Sequence, residues 1–217
     1  MKILADILSA TILFAIPLLL VALGGMFSER SGIINIALDG IMIVGALASC
    51  LTLRAIDRGM SGAGQYAPWL SGIFQGISNH PQLGMLIAMI VAALAGLLYS
   101  LLLAFASIHL KADQTIGGTA LNMLAPALAI TVTWAVQGQG QTSILIPTWT
   151  RITQATLGIT PVNNFWHTFL FKSMYLTTPV ALLLLVVVII VLYKTRFGLR
   201  LRSCGEHPQA ADSVGIN

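Results

Sequence analysis

The sequence has very little charge. Of its 217 residues only 8% are charged and 57% are hydrophobic, with a mean hydropathy of +0.89. Soluble domains carry about a quarter charged residues, so a water-soluble globule is excluded. A disordered chain is excluded as well, because a chain this apolar cannot stay solvated. The solvent in which this protein folds is therefore a lipid bilayer.

Cysteine and metal-ligand patterns are also scarce. There are two cysteines, Cys50 in an apolar stretch and Cys204 in a basic tail, which argues against a disulfide framework. No Cys/His cluster has zinc-ligand spacing, and we expect neither a metal nor a cofactor. The 11 Lys and Arg outnumber the 7 Asp and Glu. This excess does not predict nucleic-acid binding, because four basic residues within 194–202 directly follow an apolar run, as on a cytoplasmic membrane flank.

Long apolar runs, in contrast, are abundant. Five runs each approach the length of about 20 residues that crosses a hydrocarbon core about 30 Å thick. They cover residues 7–27, 33–53, 83–106, 115–136 and 174–193. The pattern predicts an all-α, polytopic membrane helix bundle with about five transmembrane helices, in a single domain over residues 1–217.

The basic residues indicate the orientation. With residues 194–217 in the cytoplasm, the basic residues of the inner side lie in short segments near helix ends, where the positive-inside rule has force. The long loops at 54–82 and 137–172 then face outward. Their aromatic residues, which favour the membrane interface, are Tyr66, Trp69, Trp149 and Trp166. An alternative stays open, in which residues 28–39 form a re-entrant or broken segment shielded among helices.

One carboxylate interrupts an apolar run. Asp39 is the only acidic residue within a span, where a carboxylate costs at least about 2.5–3.5 kcal/mol on insertion scales. On a continuous helix it shares a face with Asn35. Two interpretations stay open: Asp39 caps or pairs with Arg30 or a backbone N–H at the cytoplasmic boundary, or Asn35 and Asp39 line a translocation route.

Small and polar residues recur at helical spacing in the third and fourth spans. Thr115, Thr119 and Asn122 form one stripe, which suits either close helix packing or a solute route. Asn122 is the best candidate for contact with a solute, because its amide offers both a donor and an acceptor. In the third span, small residues at every fourth position from Ala92 and Gly96 onward predict a helix–helix contact.

The tail predicts one further short helix. Pro208 suits the first helical position with His207 as the cap, and Gly215 suits the left-handed residue just past the end. About seven residues cannot form a stable helix alone, so this helix must pack on something. Ala210 and Ala211 permit a very close approach.

The tail is also the most specific segment. Residues 209–215 resemble the EAA-xxx-G coupling motif of ABC importer permeases, with Gln209 at the Glu position. The longer stretch of residues 195–217 is similar to the branch of that superfamily that serves branched-chain amino acids, simple sugars and nucleosides. Residues 27–40 resemble an early block of the nucleoside and simple-sugar subgroup, with Asp39 where Glu is more usual. Residues 112–122 fit more loosely, with Gln114 at an expected Glu.

This resemblance implies an ABC importer permease subunit for nucleosides or a related polar solute in the cell (inner or plasma) membrane. The chain has no G-x-x-x-x-G-K-[ST] loop, so a cytoplasmic ABC ATPase subunit would supply ATP hydrolysis. A second permease subunit and an extracytoplasmic solute-binding lipoprotein are the other implied partners, besides membrane lipid. The implied coupling residues are Gly205, Glu206, His207, Pro208, Gln209, Ala210, Ala211 and Gly215. Such permeases continue for further helices, so a truncated chain is expected.

Other functions stay open from the residues alone. Branched-chain amino acids or simple sugars are alternative solutes. An ion-coupled carrier or channel could use Asp39 as its titrating group and act without an ATPase. An intramembrane enzyme would have to use Asp39, His80, His109 or His167, but no pair of these has catalytic or metal spacing.

Overall fold

The computed structural model describes residues 2–61, 77, 80–138, 140–152 and 175–215. These residues form seven α-helices, one 3-10 turn at Thr148–Thr150 and no β-strand. The helices are α1 (Lys2–Arg30), α2 (Leu38–Met60), α3 (Pro81–Ile108), α4 (Gln114–Gln137), α5 (Thr177–Lys194), α6 (Arg196–Glu206) and α7 (Pro208–Ser213). Helices α1 to α5 are each long and apolar enough to cross a membrane, so the predicted all-α, five-span architecture is confirmed.

The second span differs from its predicted bounds. It begins at Leu38 rather than at residue 33, because the preceding backbone is turned. Gly32 is left-handed with φ +81°, and Asn35 Oδ1 accepts from the N–H of Ala37 at 3.1 Å. Asn35 is therefore outside α2, and the prediction that it shares a helix face with Asp39 is wrong. At the other end α2 continues past the apolar run to Met60, since the helix forms hydrogen bonds between its own backbone N–H and carbonyl groups there.

The helices group into two compact units, each described by itself. The terminal unit contains the described residues of 1–38 and 152–217, and the central unit contains residues 39–151. In the terminal unit α1 packs on α5 and α6, and α6 packs on α7. Its core is an apolar cluster of Leu23, Val188 and Leu192, the last only 1% exposed. A single domain over the whole chain stays a prediction.

The central unit is packed through small residues. A Cβ built on Gly45 in α2 would stand 3.3 Å from the carbonyl oxygen of Ala92 in α3. A Cβ on Gly96 in α3 would stand 3.2 Å from Cγ2 of Ile41 in α2. The helix–helix contact predicted from Ala92 and Gly96 is therefore confirmed, and it brings α2 and α3 to backbone distance.

Many large apolar side chains of the spans point outward. Leu98 in α3 and Leu183 in α5 are 64% and 62% exposed, and both lie in the middle of long apolar helices. Apolar surface on this scale needs lipid tails as its solvent. The chain is a multi-pass membrane protein.

Helix α6 is a feature that the sequence pattern did not predict. It starts after a sharp corner at Thr195, whose Oγ1 accepts from the N–H of Gly198 at 3.3 Å. Gly198 lies directly against the carbonyl of Leu192, where no Cβ would fit. The charges of residues 194–202 are typical of a membrane flank. Arg196 and Arg200, which lie four positions apart, also share one face of this amphipathic helix.

Candidate transport and coupling sites

The first turn of α2 is capped by a side chain from α4. The N–H of Gly40 donates to Oδ1 of Asn122 at 2.7 Å, across 82 positions of sequence. The first four N–H groups of any helix have no partner within it, and in a membrane an unsatisfied N–H is costly. Asn122 thus supplies, from another helix, the acceptor that an N-cap residue supplies locally.

A second hydrogen bond joins α3 to the same turn of α4. The hydroxyl of Tyr99, which is 6% exposed, donates to the carbonyl of Leu121 at 2.7 Å. One turn further on, Pro126 interrupts the helical hydrogen bonding of α4, because proline has no N–H. Two polar contacts and a proline therefore meet within two turns of α4, and we call Gly40, Tyr99, Leu121 and Asn122 the polar node.

Gly40 leaves little room for a side chain. A Cβ there would stand 3.0 Å from both Oδ1 of Asn122 and the carbonyl oxygen of Leu121, and 3.3 Å from Cα of Asn122. Two of these atoms are backbone and cannot rotate away. The close approach of α2 to α4 therefore depends on glycine at this position.

The predicted route residues have different surroundings. Asp39 is exposed in the first turn of α2, where the helix dipole favours a carboxylate. Thr115 and Thr119 are exposed on α4, and Oγ1 of Thr119 donates to the carbonyl of Thr115 at 2.8 Å. Asn122 is half-buried, and Asn35 is half-buried in the segment before α2. The structure brings Asn122 to the turn of α2 that carries Asp39. A role of these residues in transport stays a prediction.

Helix α4 begins with a carboxylate cap. Oδ1 of Asp113 accepts from the N–H groups of Thr115 and Ile116 at 2.8 and 3.1 Å. The hydrogen bonds from the backbone N–H groups of Ile116 and Thr115 hold the pKa of the Asp113 carboxyl below its ordinary value. An Asp directly before an apolar helix is a start signal that could have been recognised from the sequence.

The short tail helix has the predicted form. Helix α7 starts at Pro208 after His207, and Gly215 beyond its end is left-handed with φ +77°. The side chain of His207 makes no capping hydrogen bond, so only its position fits the cap. Ala211 is 4% exposed and packs inward, whereas Ala210 is exposed.

A small cavity opens beside α7. It has a volume of about 210 Å³ and is lined by Ser203, Glu206, His207, Ala210, Ala211 and Val214. Four of the predicted coupling residues, Glu206, His207, Ala210 and Ala211, therefore line one open cavity. Pro208 and Gln209 lie exposed on α7, and a side chain at Gly215 would meet open space.

Gly205, the remaining predicted coupling residue, faces the other way. A Cβ on Gly205 would overlap the carbonyl oxygen of Arg30 and stand 3.0 Å from the backbone nitrogen of Gly32. It contacts the segment of residues 31–37 that joins α1 to α2, which we call the α1–α2 link. The coupling segment and the link are thus in backbone contact within the terminal unit.

At the far end of α2, a tryptophan contacts both α2 and α3 within the central unit. The indole Nε1 of Trp149 donates to Oδ1 of Asp57 at 3.0 Å, and its ring lies against Gly84 in α3. The other aromatic residues predicted for the interface, Tyr66, Trp69 and Trp166, lie outside the described residues, as does His167. Among the residues that the structure describes, no group of three His, Cys, Asp or Glu side chains could hold a metal ion.

Comparison with known proteins identifies the family. Residues 7–217 match the family described as the branched-chain amino acid transport system permease component. The chain belongs to this family. No solved structure matches this permease chain.

Named relatives within the permease family cover nearly all of this chain. The guanosine ABC transporter permease protein NupQ of Bacillus subtilis is 39% identical over 216 residues, which is 100% of this chain and 60% of the relative. The nucleoside ABC transporter permease protein NupC of Lactococcus lactis is 38% identical over 97% of this chain and 59% of the relative. A putative glucose ABC transporter permease protein of Haloferax volcanii, TsgC13, is 30% identical over 98% of this chain and 55% of the relative. The chain thus spans about 60% of the length of the first two relatives.

Several structural residues of this permease chain have no signal in its sequence pattern. Tyr99 lies in a run of apolar residues and Gly40 is one of 20 glycines, so neither stands out before the helices are paired. Gly32 could have been suspected, because glycine directly after a helix often adopts the left-handed conformation that it has here.

Proposed function

We propose that the chain is a membrane-spanning permease subunit of an ATP-driven importer for nucleosides in the cell (inner or plasma) membrane. The observation that supports this best is the identity of 39% and 38% to two permeases whose names specify guanosine and nucleosides. The five apolar helices supply the membrane part of such a subunit. Hydrolysis of ATP belongs to a separate cytoplasmic ABC ATPase.

Helix α7 is the surface on which that ATPase docks. Pro208, Gln209 and Ala210 are exposed, whereas Ala211 packs inward. Helix α7 packs on α6, and its exposed residues present a surface to a partner beside the cavity that Ala210 lines. A six-residue helix is not stable alone, so packing on α6 is needed to keep α7 folded while a partner binds it.

The solute route includes Asn35, Asp39, Thr115, Thr119 and Asn122. Carboxylate, hydroxyl and amide groups suit the hydroxyl and amide groups of a nucleoside, which is uncharged at neutral pH. Asn122 acts mainly by holding the start of α2, because its Oδ1 is bound to Gly40. A second permease subunit completes the route, and a solute-binding lipoprotein delivers the solute to the outer loops.

The docking surface is tested by the substitution Ala210→Glu. Ala210 is exposed and lines the cavity, so a carboxylate there disturbs a partner without disturbing the fold. The tagged full-length importer carrying this change should lose its ATPase subunit on purification, whereas Thr142→Glu, an equal charge change at an exposed position after α4, should keep it. Retention of the ATPase in both variants would contradict docking at this surface.

The solute class is tested by uptake in cells that express the complete importer. Labelled guanosine and adenosine should accumulate, and an excess of either should compete with the other, whereas ribose and leucine should not. A glucose permease is among the relatives, so glucose belongs in the same series. Uptake of a sugar or of leucine without uptake of nucleosides would contradict the nucleoside assignment.

A further inference from the structure

The α1–α2 link and the last turn of α6 touch through backbone atoms. A Cβ on Gly205 would overlap the carbonyl oxygen of Arg30, and a Cβ on Gly32 would stand 3.2 Å from Cα of Gly205. Side chains at an ordinary helix contact can change rotamer and absorb a displacement. Two backbones in direct contact cannot, so a movement of one is passed to the other.

On the link side of this contact, the backbone is held by hydrogen bonds to the last turn of α1. The N–H of Gly32 donates to the carbonyl of Glu29, and the N–H of Ile33 donates to the carbonyl of Ser28, both at 3.1 Å. Oγ of Ser28 also donates to the carbonyl of Ile33 at 2.9 Å. With Gly32 in the left-handed conformation, these bonds form a tight turn at the end of α1.

The contact joins the segment before α2 to the segment before α7. Gly205 is in the last turn of α6, and α7 begins at Pro208 and packs on α6. The link leads into Leu38, the first residue of α2. The side chain of Leu38 lies against Gly25 of α1, where a Cβ on Gly25 would be 3.1 Å from Leu38 Cδ1. Packing of α7 on α6, the contact of Gly205 with Gly32 and the six covalently linked positions from Gly32 to Leu38 thus lead from α7 to the start of α2.

We propose that the contact between Gly32 and Gly205 is the joint through which a movement of α7 reaches the start of α2. This inference rests on the proposed function, in which an ATPase docks on α7, and adds that the ATPase moves α7 as it hydrolyses ATP. Gly32, Gly205 and the Arg30 carbonyl are positioning groups in it. They transmit the movement and need not touch the solute or the ATPase.

The joint is tested in the complete importer with Gly205→Ala and, separately, Gly32→Ala. Alanine forms helices better than glycine, so Gly205→Ala does not weaken α6 through helix propensity. The ATPase subunit should still co-purify and hydrolyse ATP, while the solute moved per ATP falls about tenfold, as for a lost coupling between sites. Unchanged transport per ATP in Gly205→Ala would overturn the joint and leave the proposed function standing.

Gly140→Ala is the matched control for Gly32→Ala. Gly140 is also left-handed, with φ +90°, but a Cβ there meets nothing within 4 Å. It carries the same backbone strain without a contact, so its transport per ATP should equal that of the wild type. An equal loss in Gly140→Ala and Gly32→Ala would overturn the joint, because strain alone would then explain the effect.

A second measurement leaves the contact intact, in case the glycine variants do not fold. Nitroxide labels are placed on Glu29→Cys and Arg200→Cys, in a chain whose own cysteines are replaced by Cys50→Ala and Cys204→Ala. The distance between the labels should be the same in nucleotide-free and ATP-bound importer, because the end of α1 and α6 move together. A change of this distance during the ATP cycle would overturn the joint. A wild-type chain that never binds an ATPase would instead overturn the proposed function on which the joint rests.

Discussion

The two units of the chain hold their helices together by different means. In the terminal unit, the side chains of Leu23, Val188 and Leu192 form an apolar cluster between α1 and α5. In the central unit, glycines bring the backbones of α2, α3 and α4 close, and hydrogen bonds at the polar node join them. In a bilayer, helices associate through close van der Waals packing and through interhelical hydrogen bonds, each of which contributes about 0.6–2 kcal/mol. The comparison indicates that cavities destabilise the terminal unit most, and that lost polar contacts or overpacking destabilise the central unit most.

The largest expected effect is at the centre of the apolar cluster. Leu192→Ala should lower the free energy of unfolding by about 3 kcal/mol, because a side chain that is 1% exposed leaves a cavity. Thermal unfolding in detergent, followed by loss of helical signal, measures the change. Leu183→Ala is the matched control, since that side chain is 62% exposed on the same helix and should change little. Equal effects of the two variants would break the comparison.

Overpacking at the polar node comes next. Gly40→Ala should lower the free energy of unfolding by about 2 kcal/mol, because the new Cβ meets atoms of Leu121 and Asn122 at 3.0 Å. Its control is Gly24→Ala, where the nearest atom, a side-chain atom of Leu38, is 4.0 Å away. Denaturation in matched detergent compares them. A Gly40→Ala protein as stable as Gly24→Ala would show that α2 and α4 can separate at no cost.

A single hydrogen bond of the node has a smaller effect. Tyr99→Phe removes only the hydroxyl that donates to the Leu121 carbonyl, which should cost about 1 kcal/mol. Combined with Asn122→Ala, it should show a coupling energy in a double-mutant cycle, since both groups act on adjacent residues of α4. Strict additivity would mean that the two contacts act independently and that the node is not a unit.

The smallest expected effect on stability appears only at acidic pH. The folded state lowers the pKa of Asp113, so its ionised cap stabilises α4 above the ordinary carboxyl pKa, and this contribution is lost as the pH falls through the lowered value. Asp113→Asn keeps an acceptor at the cap but removes the titration. Melting temperatures measured downward from neutral pH should therefore fall less steeply in the variant. Identical slopes would exclude a contribution from this cap.

The membrane architecture could be predicted from the sequence because apolar runs of spanning length are a local signal. The start of α2 could not, because it depends on the turn at Asn35 and on a cap from Asn122, which is distant in sequence. The short helix α7 was predictable from Pro208 and Gly215, whose backbone requirements are local. Helix α6 was not, since a run of basic residues suits a membrane flank and an amphipathic helix equally well.

The candidate sites divide in the same way. The coupling residues around α7 form one contiguous motif, so their proximity followed from the sequence. The contact of Gly205 with Gly32 did not, because it joins segments from the two ends of the chain. Tyr99 is likewise recognisable only after α3 and α4 are paired.

The central claim, transport of nucleosides driven by a partner ATPase, is tested most directly in proteoliposomes that contain the complete importer and its solute-binding protein. Labelled guanosine is supplied on the side of the binding protein, and ATP is supplied or withheld on the other side. The predicted result is guanosine accumulation that requires ATP and is abolished by Ala210→Glu. Accumulation driven by an ion gradient without ATP would contradict the claim, as would ATP-driven accumulation that Ala210→Glu leaves unchanged.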